Sequence, residues 1–340
     1  MAQISIPSNA NTAASARKLD VPSQGQWSMA WRRFKRNKAA LLGGIVILGF
    51  VLVALFAPFL SPQDPTKDNS GKDYIPPTFT SLFPTAKSPI FSNKSPAGKA
   101  PDSKFILGTD GQGHDVLSRL VYGTRTSLMV GLLPVLVIIV IGTLIGFLSG
   151  LVGGAVDNWL MRLTDVFYAF PDVLLLILAS IAFGDTLFGK SLNGLLLFMT
   201  SLAVVSWSGL ARLTRGAALS IKNNDYIAAS KSLGMSDWGI MMRHILPNSL
   251  SVIVVWAALA IPAFVLTETV LGFLGVGLRP ALNLQQIFVA SWGRLLLDAR
   301  TLIESQPWFL ILTSLTIASF VVAFTYFGNG VRDALDPRQK

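Results

Sequence analysis

The stretch DYIAASKSLGMSDWGIMMRHILPN, Asp225 to Asn248, is charged and helix-forming, yet it lies between two long apolar runs. Asn224 or Asp225 is placed to cap a short helix in which Tyr226, Ala229 or Ser230, and Leu233 fall at helical spacing. Gly234 follows where a left-handed terminating residue is wanted. Ser236 with Asp237 can cap a second helix, Trp238, Met241 and Ile245 share one of its faces, and Pro247 is expected to stop it. The expected order is helix, glycine turn, helix, proline stop. A polar hairpin on an apolar chain calls for a soluble partner. The plainer reading, an ordinary loop between spans that happens to be helical, fits the same periodicity.

Outward from the hairpin, composition sets the class. Of 340 residues, 51% are hydrophobic and only 14% charged, and the apolar residues gather into runs near the ~20 residues that cross a bilayer core. The reading is an all-α polytopic membrane protein with spans near Ala39–Leu60, Ser127–Gly150, Leu163–Phe183, Gly194–Leu210, Leu250–Leu274 and Trp308–Phe327. Lipid offers the backbone no hydrogen-bond partner, so each span must be helical. The third is interrupted by Pro171 and Asp172.

Lys and Arg set the orientation. With both termini inside, about 16 fall in inner segments and about 12 in outer ones; eight of the outer set lie in the long stretch Ser61 to Arg125, which crosses largely regardless of charge. The hairpin is therefore expected to face the cytoplasm. The net charge of +10 reflects basic membrane flanks such as WRRFKRNK, Trp31 to Lys38, and gives no case for nucleic acid. Trp27, Trp31 and Phe34 beside these cations suit an amphipathic helix on the inner leaflet, or a simple positive-inside anchor. The expected division is 1–38 cytoplasmic, 39–60 first span, 61–126 outer segment with a surface helix, 127–330 a five-helix core holding the 225–248 hairpin, and 331–340 a cytoplasmic tail. The first 26 residues lack the apolar core of a cleaved signal, so the first span is expected to be retained.

Several chemistries are disfavoured. Cysteine is absent, so disulfides, thiolate metal sites and a Cys nucleophile are excluded. The two histidines, His114 and His244, fall on opposite sides of the expected topology, which argues against a histidine metal site. GDTLFGKS, Gly184 to Ser191, satisfies the phosphate-loop pattern, but it joins two membrane runs where a phosphate loop joins a strand to a helix. It reads as an interhelical turn.

Eight prolines between Pro62 and Pro101 favour extended, weakly packed backbone, either a linker or a partner-contacting flap. Val116, Leu117, Leu120 and Val121 form a stripe suited to a helix along the outer membrane face. Gly142, Gly146, Gly150 and Gly154 place small residues on one face, for an intrachain contact or for a second subunit. Asp165 is expected to cap the inner end of the third span. Asp172 and Glu268 either bond helix to helix or couple cation flow, as in a stand-alone secondary transporter.

Ala228-Ala229-Ser230, then Gly234, then Ile245-Leu246-Pro247 resembles the ATPase-docking loop of ABC importer permeases, with Ala228 standing where that loop usually has glutamate. LGTDGQGHDVLSRLVYGTRTSL (Leu107 to Leu128), ETVLGFLGVG (Glu268 to Gly277) and RDALDPR (Arg332 to Arg338) resemble the C-type permease subunit of bacterial dipeptide and oligopeptide ABC importers, with His114 where Arg is frequent. The resemblance covers nearly everything from Trp27 onward except Asp68 to Lys104. It implies a type I importer fold in the bacterial inner membrane, no catalysis and no cofactor in this chain, and ATP and Mg bound by partners. It further implies two cytoplasmic ATPases, a second permease of the B type, and an extracytoplasmic binding protein that delivers short peptides; nickel chelates or sugars are alternative cargoes. The residues it points to for ATPase coupling are Tyr226, Ala228, Ala229, Ser230, Leu233, Gly234, Trp238, Met241, Ile245, Leu246 and Pro247, with Gly234 as the hinge.

Overall fold

The computed structural model describes residues 26–69, 71–82, 98–280, 288–304 and 306–336, and among these there is no β-strand. The helices are α1 (Gln26–Arg36), α2 (Lys38–Leu55), α3 (Ala57–Leu60), α4 (Val116–Val152), α5 (Gly154–Tyr168), α6 (Asp172–Phe183), α7 (Leu187–Lys190), α8 (Leu195–Lys222), α9 (Asp225–Ser232), α10 (Asp237–Ile240), α11 (Leu246–Phe273), α12 (Trp292–Thr301) and α13 (Pro307–Leu335). Five runs are long and apolar enough to cross a membrane: α2, α4, α7–α8, α10–α11 and α13. The pair α5–α6 makes a sixth if counted as one span, bent by 76°. The bend falls where expected, at Pro171, which disfavours helical backbone in the residue before it and lies just outside the first turn of α6.

The small-residue stripe closes within the chain. A Cβ on Gly146 would lie 2.0 Å from Thr214 Oγ1 and 2.3 Å from the Ala211 carbonyl, and on Gly142 and Gly150 it would come within 3.0 Å of Leu210 Cβ and 2.8 Å of Ala218 Cβ. Backbone therefore meets backbone between α4 and α8, and Thr214 Oγ1 donates to the Gly142 carbonyl at 3.1 Å. Gly154 lies beyond the end of α4, with φ +58 and open space around it, and takes no part. On the other flank Gly43 of α2 crosses α13 at Ala323, and Trp292 of α12 packs between Phe50 and Phe320 with ring centroids 5.7 and 5.3 Å away. α1 folds back on α13, with Phe34 edge-on to Phe327 and Arg33 Nη1 donating to the Asp336 carbonyl at 2.8 Å.

Two expectations for the outer segment fail. The stripe from Val116 to Val121 is not a separate surface helix; it forms the first turns of α4, a single helix of 37 residues capped by Asp115, which accepts from Ser118 N at 2.8 Å. The Pro-rich segment is well packed where it is described. Ile75 N donates to Thr109 Oγ1 at 2.8 Å, Tyr74 N to the Asp110 carbonyl at 3.0 Å, and Ile75 and Phe105 are buried. Lys72–Asp102 at 3.0 Å and Lys99–Asp73 at 2.6 Å tie its two flanks. Pairing with 98–115, far along the chain, supplies the partners that local composition does not reveal.

A buried charge cluster anchors this cap to α4. Arg119 pairs with Asp110 and, at 2.8 Å, with Asp298, while His114 reaches Asp110 through Nδ1 (3.0 Å) and Asp68 through Nε2 (2.8 Å). Burial pushes the Asp110 carboxyl upward, but its hydrogen bond to His114 and the Arg119 and His114 charges outweigh that and hold it at about 2.

Candidate coupling hairpin and its supports

α9 begins after Asn224, whose side chain makes no cap; its Nδ2 donates backward to the Ile221 carbonyl at 3.0 Å. α9 ends as its glycine requires. Gly234 has φ +86, its N–H donates to Lys231 O at 3.0 Å, and Met235 N donates to Ser230 O at 3.1 Å, the paired closure of a Schellman turn. Ser236 then caps α10, accepting from Gly239 N at 3.2 Å, and Lys231 bridges the turn to Asp237 at 3.2 Å.

The expected proline stop is absent. After α10 the backbone widens into a π-helical turn, Met241–Ile245, and runs straight into α11, with Leu246 N donating to Met241 O. Pro247 sits in the first turn of α11. The wider turn accommodates a residue with no N–H to give, and Asn248 Nδ2 satisfies the His244 carbonyl at 2.7 Å. The second arm of the hairpin is thus the root of a span, so its position is mechanically that of α11.

Burial divides the hairpin in two. Ile227, Ile240, Met241 and Ile245 are buried against Phe147 and Leu151 of α4, Ala218 of α8 and Ile253 of α11. Met241 and Ile245, expected on the contact face, are instead part of this base, because the π turn rotates them inward. Tyr226, Leu233, Trp238 and Met242 stand out, Leu233 being 89% and Trp238 61% exposed, with Ala228, Ala229, Gly234 and Pro247 exposed among them. Ser230 and Leu246 are half-buried, and the Ser230 hydroxyl returns to the Tyr226 carbonyl at 2.8 Å. Ile227, Ile240 and Met242 escaped the sequence reading. Ile227, the one isoleucine of α9, was the available signal, but the helical spacing was read through its neighbour Tyr226 and left Ile227 unassigned.

The base is braced by ions. Arg215 of α8 holds Asp157 of α5 with two bonds of 2.6 Å, and the Lys222 ammonium donates to the Leu151 carbonyl at the end of α4. Asp165 does not cap its helix end; it pairs with Arg212 at 2.7 Å. Glu268 is fully buried on α11, with its carboxyl turned toward Ser291 and the backbone of Leu278 and Gly293. Asp172, at the start of α6, lines a cavity beside α8 and α11. In the phosphate-loop look-alike, a Cβ on Gly189 would lie 1.9 Å from the Phe183 carbonyl, so the loop is packed shut and leaves no cradle for a phosphate.

A family model described as the binding-protein-dependent transport system inner membrane component matches residues 142–340, which takes in α5 to α13 and the whole hairpin. The chain belongs to this family of inner membrane transport components. A second model, the N-terminal transmembrane domain of oligopeptide transport permease C, matches residues 25–77. Among curated relatives of this permease, the oligopeptide transport system permease protein OppC of Escherichia coli is 36% identical over 325 residues, 95% of each chain. The dipeptide transport system permease protein DppC of Haemophilus influenzae is 35% identical over 310 residues, 91% of this chain and 94% of its own. A glutathione transport system permease protein, GsiD of Pectobacterium atrosepticum, is 35% identical over 314 residues, 92% of each. A chain of the inward-facing MetNI methionine ABC transporter superposes on 64% of this permease and 96% of its own length with a TM-score of 0.51 at 19% identity, a likeness of fold alone.

Proposed function

We propose that this permease is one half of the translocation pathway of an ATP-driven importer of short peptides. In this reading a B-type permease supplies the other half, two cytoplasmic ATPases bind ATP and Mg, and an extracytoplasmic binding protein delivers the cargo. The termini and the hairpin face the cytoplasm. The observation that carries the proposal is the divided hairpin, an exposed apolar tip on a base packed into three spans. A lone loop between spans has no need of an 89% exposed Leu233 beside a 61% exposed Trp238; a surface that docks a soluble subunit does. The peptide assignment draws on the dipeptide and oligopeptide permeases among the relatives.

The geometry suggests how coupling works. Closure of the ATPases on ATP moves the tip, and the buried Ile227, Ile240, Met241 and Ile245 transmit the movement to α4, α8 and α11 together. The pore then exchanges between inward-open and outward-open states. Ala228 carries no carboxylate, so docking rests on shape and apolar contact, with Gly234 as the turn that sets the angle between the arms.

Co-purification of the ATPases with Leu233→Asp or Trp238→Ala chains tests this. Loss of the ATPases with the chain still folded supports docking; retention by both variants, or ATP-independent uptake driven by a proton gradient, overturns it. Point variants are preferable to deleting the hairpin, since Met241 to Leu246 is also the root of α11.

A further inference from the structure

The acids in and near the spans are not alike. Asp157 is held by Arg215 at 2.6 Å and Asp165 by Arg212 at 2.7 Å, and the Arg212 guanidinium also lies 4.1 Å over the Tyr168 ring. Glu268 is sealed inside the fold. Asp172 is different: it is exposed, and among the described residues it has neither an ion pair nor a hydrogen bond. A carboxylate within a membrane-spanning helix pair is costly without a counter-charge. No cation among the described residues pairs with it, which leaves the carboxylate open to a counter-charge brought from outside the chain.

The space that Asp172 faces has the dimensions and chemistry of a ligand groove. It has a volume of about 970 Å³ and runs along α8 and α11, from Phe264 down to Arg332 at the end of α13. Its long walls are apolar, with Val205, Leu213 and Leu259 among them, and its aromatic residues are Tyr168, Trp256 and Phe264. The Ser206 hydroxyl, also on the wall, is shielded from solvent and makes no hydrogen bond. Two carboxylates, Asp172 and Asp336, and one guanidinium, Arg332, line a single largely apolar groove, and Asp172 and Arg332 do not pair with each other.

We infer that this groove takes a zwitterionic short peptide in transit, with Asp172 as the counter-ion of its amino terminus. The inference rests on the peptide-importer reading and adds to it a residue and a polarity. Asp172 and an aromatic ring receive the ammonium, and Arg332 complements the carboxylate end. The apolar walls fix no side-chain identity, so recognition falls on the termini that all short peptides share.

The test uses the assembled complex with its second permease and ATPases but without the binding protein, so that delivery plays no part in selection. A photoreactive benzophenone side chain in place of Leu213 is used to label either radiolabelled trialanine or its N-acetyl form. Trialanine should give about tenfold more adduct than the acetylated peptide, the ratio expected for one charge-assisted contact. Asp172→Asn should bring the two to equality and Asp172→Glu should keep the preference. Equal labelling in the parent complex, or an unchanged ratio in Asp172→Asn, overturns the inference. Loss of the second permease from Asp172→Asn also overturns it, by showing that the counter-charge is a residue of that subunit. If neither peptide labels the groove while the complete system still imports trialanine into liposomes, the groove assignment fails and the importer reading stands; failure of that import removes the reading beneath it.

Discussion

Gly146→Ala should loosen the joint on which the hairpin rests. The added Cβ would meet Thr214 Oγ1 at 2.0 Å, the Ala211 carbonyl at 2.3 Å and Arg215 N at 2.9 Å, where ordinary contact needs 3.4–4 Å. Two of these atoms are backbone, so no rotamer change relieves them and α4 and α8 must separate by roughly an ångström. Overpacking of this kind costs about 1–3 kcal/mol. The same substitution gains about 0.5–1 kcal/mol of helix propensity, which obscures the clash if Gly146→Ala is measured alone. Gly216→Ala in α8 removes the ambiguity, because it makes the same propensity change with nothing within 4 Å. The difference between the two variants, about 1–3 kcal/mol or roughly 5- to 150-fold in the folded-to-unfolded ratio, isolates the clash. It can be read from unfolding of the purified chain in detergent, followed by tryptophan fluorescence through a denaturant titration. Equal stability of the two variants would refute the close-approach argument. So would rescue of Gly146→Ala by Thr214→Ala, since the Ala211 carbonyl would still be in the way.

Ile240→Ala should lower the stability of the chain by about 2–5 kcal/mol in the same titration, because its side chain is fully buried in the hairpin base. Trp238→Ala should leave that titration within about 0.5 kcal/mol of the parent but weaken ATPase binding by about 2 kcal/mol, or roughly 30-fold, in a surface-capture assay. Gly234→Ala should cost about 1 kcal/mol, since at a φ of +86 a Cβ crowds the following carbonyl, and lowered ATP-coupled uptake in proteoliposomes checks whether the turn sets the coupling angle. In acid, Asp110 has a folded value of about 2 against an ordinary 3.8, so its contribution of about 2 kcal/mol is full above pH 3.8 and is lost as pH falls through 2. Proteolysis of the outer segment between pH 5 and pH 2 by an acid-active protease should rise in that window, and Asp110→Asn should flatten the rise.

The spans and the turn chemistry were legible because they are local. A run of apolar residues must be helical in lipid whatever surrounds it, and Pro171 bends the chain and Gly234 ends a helix through their own covalent geometry. The hairpin was visible for the same reason, as caps and a glycine at short spacing. Which of its faces pointed inward was not, because Met241 turns inward through a π turn that no periodicity announces and that accommodates Pro247 inside a continuous helix. The packing of the outer segment was equally hidden, since Ile75 finds Thr109 across 34 positions and the proline-rich composition between them says nothing of that bond. The glycine stripe shows the division clearly. Four glycines at four-residue intervals required a close neighbour, but only the structure decided that the neighbour is α8 of the same chain and that Gly154 is excluded. The sequence by itself determined the apolar helices, the glycine turn that ends α9 and the need for partners, through propensities acting over a few residues. The tertiary structure decided which atoms meet, because contact depends on distances between segments far apart in the chain.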